Sequence, residues 1–168
     1  SIHGAYWMEG AGGIFCENEA MKWLVSLTGL PKGSFGVFTS GGTAANLSAM
    51  VTARENWRKN PANINKKGLI ITSSGAHSSV KSMAKVIDCD VLLVETEEQM
   101  TAEALNDSIN SLDAQQRDRL FAVVATGGTT NAGIIDDLSG IAEIGSMLMR
   151  PMEVAPWPPN WPGHCSKV

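Results

Sequence analysis

FAVVATGGTTNAGIIDDLSGIAEI, Phe121 to Ile144, holds a complete structural unit in miniature. Phe121 to Thr126 is a continuous apolar run, the pattern of a strand covered on both faces rather than on one. Gly127-Gly128-Thr129-Thr130-Asn131 follows as a turn of small and polar residues. Asp136 or Asp137 can then cap a helix that places Leu138, Ile141, Ala142 and Ile144 on its inner side. A buried strand feeding a helix through a polar turn is the repeating half-unit of a parallel sheet.

The same grammar extends upstream. Gly68 to Thr72 (GLIIT) reads as a buried strand, Ser73-Ser74-Gly75-Ala76-His77 as its turn, and Ser78 or Ser79 as the cap of a helix. In that helix Val80, Met83, Ala84 and Ile87 recur at helical spacing, while Lys81 and Lys85 fall on the solvated side. Val91 to Val94 is another strand, and Thr101 can cap a helix that carries Leu105, Ile109 and Leu112 inward. Earlier still, Glu17 to Thr28 sets Ala20, Met21, Trp23, Leu24 and Leu27 on one apolar face, with Gly29 and Pro31 as a stop. Phe35 to Thr39 (FGVFT) reads as a fourth short strand. Ser40-Gly41-Gly42-Thr43 is its turn, and a helix runs from Thr43 to Trp57 with Leu47, Met50 and Val51 inward before Asn60-Pro61 ends it. The class is α/β: part of a three-layer α/β/α sandwich around a mostly parallel sheet.

Composition narrows the function without naming it. The 168 residues carry a formal net charge of −4, against the basic face that a nucleic-acid binder needs. Charged residues are only 18%, which suggests a surface partly covered in the working protein. No apolar run approaches the ~20 residues of a membrane span, and no secretory leader is visible. Cys16, Cys89 and Cys165 form no metal-ligand spacing, so no metal site is expected and a reducing cytoplasm is the default compartment.

The two ends read differently from the middle. The chain opens on Ser1, and Ile2 to Phe15 has a single charge, Glu9, which suits a loop laid over other protein. From Pro151 to Val168 lie five of the seven prolines and two of the five tryptophans. PWPPNWPG (Pro156 to Gly163) can be neither a helix nor a central strand. Either it is an extended proline-rich tail, or the segment from about Met149 is out of frame. The expected division is therefore 1–148 as one partial domain and 149–168 as an irregular tail.

Ligands of open α/β sheets sit beyond the carboxyl ends of the strands. Three of the four expected strands end in turns of small polar residues, so these turns are the candidate site. Gly41 and Gly42 let a ligand approach the backbone, and Thr43 adds a hydroxyl at a helix start, a combination suited to phosphate. Neither GxxxxGK[ST] nor a strand-linked GxGxxG occurs. His77 either stacks on a flat ring or merely begins a helix. Thr129 and Thr130 either meet a ring substituent or merely fill a turn.

TSGGTAANLSAMVTAR (Thr39 to Arg54), SSGAHSSVKSMAKVI (Ser73 to Ile87) and VVATGGTTNAGIIDDLSGIAEI (Val123 to Ile144) together resemble the pyridoxal-phosphate-dependent group II amino-acid decarboxylases. The resemblance runs from about Tyr6 to Ile144 and covers about a third of a full-length member. It implies the large domain of a fold-type I enzyme, with pyridoxal 5′-phosphate as cofactor and a homodimer as the full-length form. It places Gly42 and Thr43 on the cofactor phosphate, His77 on the pyridine ring beside the substrate, and Thr129 near the ring hydroxyl, with Thr130 as its neighbour. The implied reaction is loss of CO₂ from an L-amino acid, with the cofactor as electron sink. Trp7 to Leu24 looks most like bacterial aromatic decarboxylases, which implies an aromatic substrate.

Two parts of the family's machinery have no counterpart here. The aspartate that pairs with the pyridinium belongs to a strand after the Ile144 helix, where this chain reads MLMRPMEVAPWPPNWPGH. The Schiff-base lysine lies beyond Val168, and Lys167 sits in no matching motif. A catalytically silent fragment is therefore the leading expectation. The alternatives are a sphingosine-phosphate-type lyase of the same fold, or a non-catalytic α/β phosphate-binding module.

Overall fold

A computed structural model describes residues 7–28 and 33–148. The stops expected at Gly29 and Pro31, and the whole tail from Met149, lie outside the described residues. Two compact units divide the chain, the first ending at Ser48 and the second beginning at Ala49.

The first unit holds helix α1 (Trp7–Thr28) and the start of α2 (Gly42–Trp57). The loop expected before Phe15 is instead helical from Trp7 onward. Glycines 10, 12 and 13 weigh against a helix by roughly 1 kcal/mol each relative to alanine, which hides the helix from a propensity reading. Gly10 interrupts the helix with a kink, at φ −129° and ψ 19°. On α1 only part of the expected apolar face is inward: Met21 is buried, whereas Trp23 and Leu27 are exposed.

Phe35 to Thr39 is not a strand. Its apolar side chains Phe35, Val37 and Phe38 are all exposed, and the Phe38 N–H donates to Glu17 Oε1 at 2.9 Å. A strand exists only through a ladder partner, and here a carboxylate takes the place of a neighbouring carbonyl.

The second unit contains the sheet. After a short 3₁₀ turn at Pro61–Asn63 come strand β1 (Leu69–Ser73), helix α3 (Ser78–Val86), strand β2 (Asp90–Val94) and helix α4 (Ala102–Asn110). Helix α5 (Ala114–Arg119), strand β3 (Leu120–Val124) and helix α6 (Leu138–Leu148) complete it. The strand order is β2-β1-β3, and both pairings are parallel, with Leu69 opposite Asp90 on one side and Leu120 on the other. Every residue of β1 is buried, as a central parallel strand covered on both faces requires.

Alternation along β1 sends Leu69 and Ile71 to one face, where they join Val94, Met100, Leu105, Ile109, Leu112 and Ile141 in a single core. Val80, Met83 and Ala84 of α3 and its capping residue Ile87 are buried in keeping with their helical spacing, and Lys81 and Lys85 are exposed. Trp57, at the end of α2, packs on Phe121 with ring centroids 5.6 Å apart. That packing explains Gly68, where a Cβ would come within 2.6 Å of the Phe121 ring.

Helix α5 has no counterpart in the sequence reading. Its cap is a full capping box, in which Asp113 Oδ1 accepts from the Gln116 N–H at 2.7 Å and Gln116 Oε1 accepts from the Asp113 N–H at 3.1 Å. Thr101 caps α4 as expected, accepting from the Ala104 N–H at 3.1 Å. Of the two candidates for α6, Asp137 is the cap, accepting from the Gly140 N–H at 3.1 Å.

Candidate functional site

Because all three strands run parallel, their carboxyl ends fall on one edge, and the three turns that leave them border an open cavity of about 620 Å³. Ligand sites commonly measure roughly 300–1,000 Å³. His77 enters from the turn after β1, Glu97 and Glu98 from the turn after β2, and Thr129 and Thr130 from the turn after β3. The first and third turns nearly touch: a Cβ on Gly75 would lie 3.9 Å from the Thr129 methyl.

His77 is itself the cap of α3, in place of the expected Ser78 or Ser79. Its Nδ1 accepts from the Ser79 N–H at 3.1 Å and lies 2.9 Å from Ser79 Oγ. An imidazole Nδ1 stands at the same bonded distance from the backbone as an asparagine Oδ1, so the ring imitates an ordinary capping side chain. With Nδ1 accepting, the ring proton sits on Nε2. One ring nitrogen is thus committed to the helix, while the residue is exposed and lines the cavity.

Thr129 lies in a loop closed on itself. Its N–H donates to Ile134 O at 2.9 Å, and its hydroxyl accepts from the Ile134 N–H at 3.1 Å. Gly133 makes the reversal possible at φ 65°, a left-handed conformation that glycine adopts without strain, and its N–H donates to Thr129 O at 2.9 Å. Accepting through its lone pair leaves the Thr129 hydroxyl hydrogen to donate. Beneath the loop, buried Asp136 accepts from the Thr126 N–H at 2.7 Å and the Met100 N–H at 2.8 Å. Its neighbour Asp137 has a carboxyl held below the usual range, first by the Gly140 N–H and then by the Ser139 hydroxyl.

Gly42 and Thr43 belong to the first unit, where they open α2 and are exposed. A Cβ on Gly41 or Gly42 would meet nothing within 4 Å, so the glycine turn is open to an incoming group. Of the four expected site residues, the structure brings His77 and Thr129 to one cavity, with Thr130 beside them.

Glu97 and Glu98 were not anticipated. Their turn is acidic rather than glycine-rich, and a search for small-residue turns passes over it. The parallel strand order alone would have placed it, since every strand of such a sheet delivers its following turn to the same edge.

A parallel sheet that gathers polar turns, a capping imidazole and a threonine hydroxyl around one carboxyl-edge cavity defines an α/β protein with its polar groups where ligands of such sheets sit. The chain matches the family described as pyridoxal-dependent decarboxylase conserved domain over residues 4–155, and it belongs to that family. It is 32% identical over 143 residues to an aromatic-L-amino-acid decarboxylase of Bacillus atrophaeus, covering 82% of this chain and 29% of the relative. It is 33% identical over 160 residues to an L-2,4-diaminobutyrate decarboxylase of Acinetobacter baumannii, covering 82% of this chain and 31% of that relative. Among solved structures it resembles the Rhodiola rosea 4-hydroxyphenylacetaldehyde synthase, with a TM-score of 0.76 at 20% identity over 88% of this chain and 34% of that one. The chain spans about a third of the length of these curated relatives.

The fold is that of the fold-type I pyridoxal-phosphate decarboxylases, and pyridoxal 5′-phosphate is the family's cofactor. The donor set of the cavity fits such a group. An exposed imidazole suits a flat pyridine, and a hydroxyl with a hydrogen to give suits a ring oxygen. No helix among the described residues is long and apolar enough to cross a membrane.

Proposed function

We propose that this chain is the cofactor-binding part of a decarboxylase that removes CO₂ from an L-amino acid with an aromatic side chain. One observation carries the reading: His77 and Thr129, which belong to separate sequence motifs, line the same cavity at the carboxyl edge of the sheet. In this reading the His77 ring stacks on the pyridine, and the Thr129 hydroxyl donates to the ring oxygen. Gly42 and Thr43, within the first unit, are read from the resemblance as a phosphate-binding turn, through backbone N–H groups and a hydroxyl at the start of α2. Bound pyridoxal phosphate would supply an electron sink for the pair left behind by CO₂. The residues of the chain bind and orient it.

The remaining machinery, an imine-forming lysine and an acid for the pyridinium nitrogen, belongs in this reading to the whole protein rather than to these residues. The chain alone is then catalytically silent, and the whole protein works as a cytoplasmic homodimer. The aromatic assignment rests on the likeness of Trp7 to Leu24 to bacterial aromatic decarboxylases and on the Bacillus relative.

Calorimetric titration with pyridoxine 5′-phosphate tests the reading, because this form of the vitamin has no aldehyde to react with exposed lysines such as Lys81. A saturable one-site isotherm is expected, and Thr129→Val should weaken it roughly five- to tenfold, the worth of one hydrogen bond. A flat titration of the unsubstituted chain would overturn the proposal.

A further inference from the structure

Asp136 is the one buried carboxylate among the described residues, at 4% exposure, and it does not line the cavity. What it holds are two of the three turns that do. Its Oδ2 accepts from Thr126, the residue from which the Thr129 loop departs, at 2.7 Å. Its Oδ1 accepts from Met100, at the end of the turn that carries Glu97 and Glu98, at 2.8 Å. The backbone repeats both ties: the Asp136 N–H donates to Thr126 O at 2.9 Å, and the Asp137 N–H donates to Met100 O at 3.0 Å. Of these four hydrogen bonds from two adjacent residues, two join the turn after β2 to the end of the loop after β3, and two close that loop on its own start at Thr126.

The chemistry of the junction demands a carboxylate. Two backbone N–H groups from different segments converge on it, and each needs its own acceptor. An ionised carboxylate offers two acceptor oxygens and no donor. A carboxamide offers one acceptor and turns its NH₂ toward the second N–H, where donor meets donor. A buried backbone N–H left without a partner is expensive enough to move the segment that carries it.

We infer that Asp136 is a positioning residue for the cavity: it sets the distance between the turn after β2 and the Thr129 loop, and so the placement of Thr129 against the ligand. The inference rests, for the identity of that ligand, on the cofactor reading given above. For the geometry it rests on the four bonds alone. Asp136 touches no ligand atom, and its effect passes through Thr126 to Thr129.

The experiment compares the unsubstituted full chain with Asp136→Asn, Asp136→Glu and Asp113→Ala, the last removing the cap of α5 away from the cavity. Amide hydrogen exchange and calorimetric titration with pyridoxine 5′-phosphate are measured on each. Asp136→Asn should accelerate exchange roughly tenfold at Met100, Thr126, Thr129, Gly133 and Ile134, leaving Ile71 and Leu92 nearly unchanged. It should also weaken the probe roughly tenfold, and Asp136→Glu, which keeps both acceptor oxygens, should recover part of each effect. Asp113→Ala should lower the melting temperature without altering probe affinity, which separates positioning from stability in general. Exchange that rises equally in the strands, or stays flat in the two turns, overturns the inference, as does equal weakening of the probe by Asp113→Ala. Should the unsubstituted chain fail to bind the probe, the cofactor reading falls, and the exchange pattern still decides the role of Asp136. If Asp136→Asn does not fold, the same comparison is made with Asp136→Glu, whose longer carboxylate should disturb the two turns before the strands.

Discussion

His77 performs two tasks that ordinary variants would confuse, and the hydrogen bond from the Ser79 N–H is the means to separate them. His77→Ala removes both the cap and the ring. It should cost about 1 kcal/mol of stability, the usual worth of a cap, and also weaken binding of pyridoxine 5′-phosphate. His77→Asp restores a strong cap, aided by a negative charge at the helix start, and supplies no ring. Its melting temperature should return to that of the unsubstituted chain while its affinity stays low. His77→Phe should show the reverse, retaining much of the affinity and losing the cap. Equal probe affinity in all three would reduce His77 to a helix cap. That the sequence pointed to His77 at a ligand edge, and to the wrong capping residue beside it, has one cause. Capping rules are written for short oxygen side chains, and nothing in a string of letters shows a histidine ring turned back onto its own helix.

At the scale of elements, the end of α3 is built against preference. Asp88 sits at φ 51°, the left-handed position that helix ends usually give to glycine. The hydrogen bonds around it are those of a full helix stop: the Cys89 N–H donates to Ala84 O at 2.8 Å and the Asp88 N–H to Lys85 O at 3.3 Å. Asp88→Gly should therefore stabilise the fold by roughly 1 kcal/mol, seen as a higher urea midpoint with an unchanged slope. The ion pair sacrificed, Asp88 to Lys67 at 3.8 Å, is exposed and worth little. A lower midpoint would show that the aspartate makes a contribution its backbone conceals. Elements were legible where burial dictated their composition: β1 announces itself as an apolar run because both faces are covered, and the half-buried β2 and β3 flank it with apolar runs of their own. They were illegible where composition and context part. FGVFT has the letters of a strand and no ladder partner. Gly12 and Gly13 of α1 have the letters of a loop and a helical backbone. Helix α5 is the instructive omission, since Asp113 and Gln116 spell a capping box that an apolar-period search ignores on a helix with no buried residue.

At the scale of the molecule, the site was half legible: the parallel order made the turns after β1 and β3 a pair, while the acidic turn after β2 and the clamp at Asp136 required coordinates. The opposite edge of the sheet carries its own device. Asp90, at the start of β2, is bridged by Lys67 before β1 at 2.8 Å and by Arg119 before β3 at 2.8 Å, tying the entrances of all three strands. The Lys67 hydrogen bond, followed by that of Arg119, holds the Asp90 carboxyl below its ordinary value of 3.8. A carboxyl depressed in the folded state contributes stability above its unfolded pKa and loses it as pH falls through the folded one. The stability gap between the unsubstituted chain and Asp90→Asn should accordingly be present near neutrality. It should start to close below about pH 4 and be gone in stronger acid, as followed by thermal melts across that range. A gap independent of pH would mean the bridges do not act through the ionised carboxylate.

The placement of β1 in the middle of the sheet also has a consequence in time. Its pairing with β2 needs only the intervening α3, whereas its other edge waits for β3, as in the bond from the Thr72 hydroxyl to Val124 O between residues 52 apart in the chain. Closing the longer loop is the entropically costlier event, and contacts of this kind slow folding. On a ribosome the β1–α3–β2 half can assemble while β3 is still being synthesised, so for that interval one edge of the most buried strand stands open. An open apolar edge is what chaperones and stray chains bind. The same strand that anchors the finished sheet is thus the part of the nascent chain most exposed to mispairing.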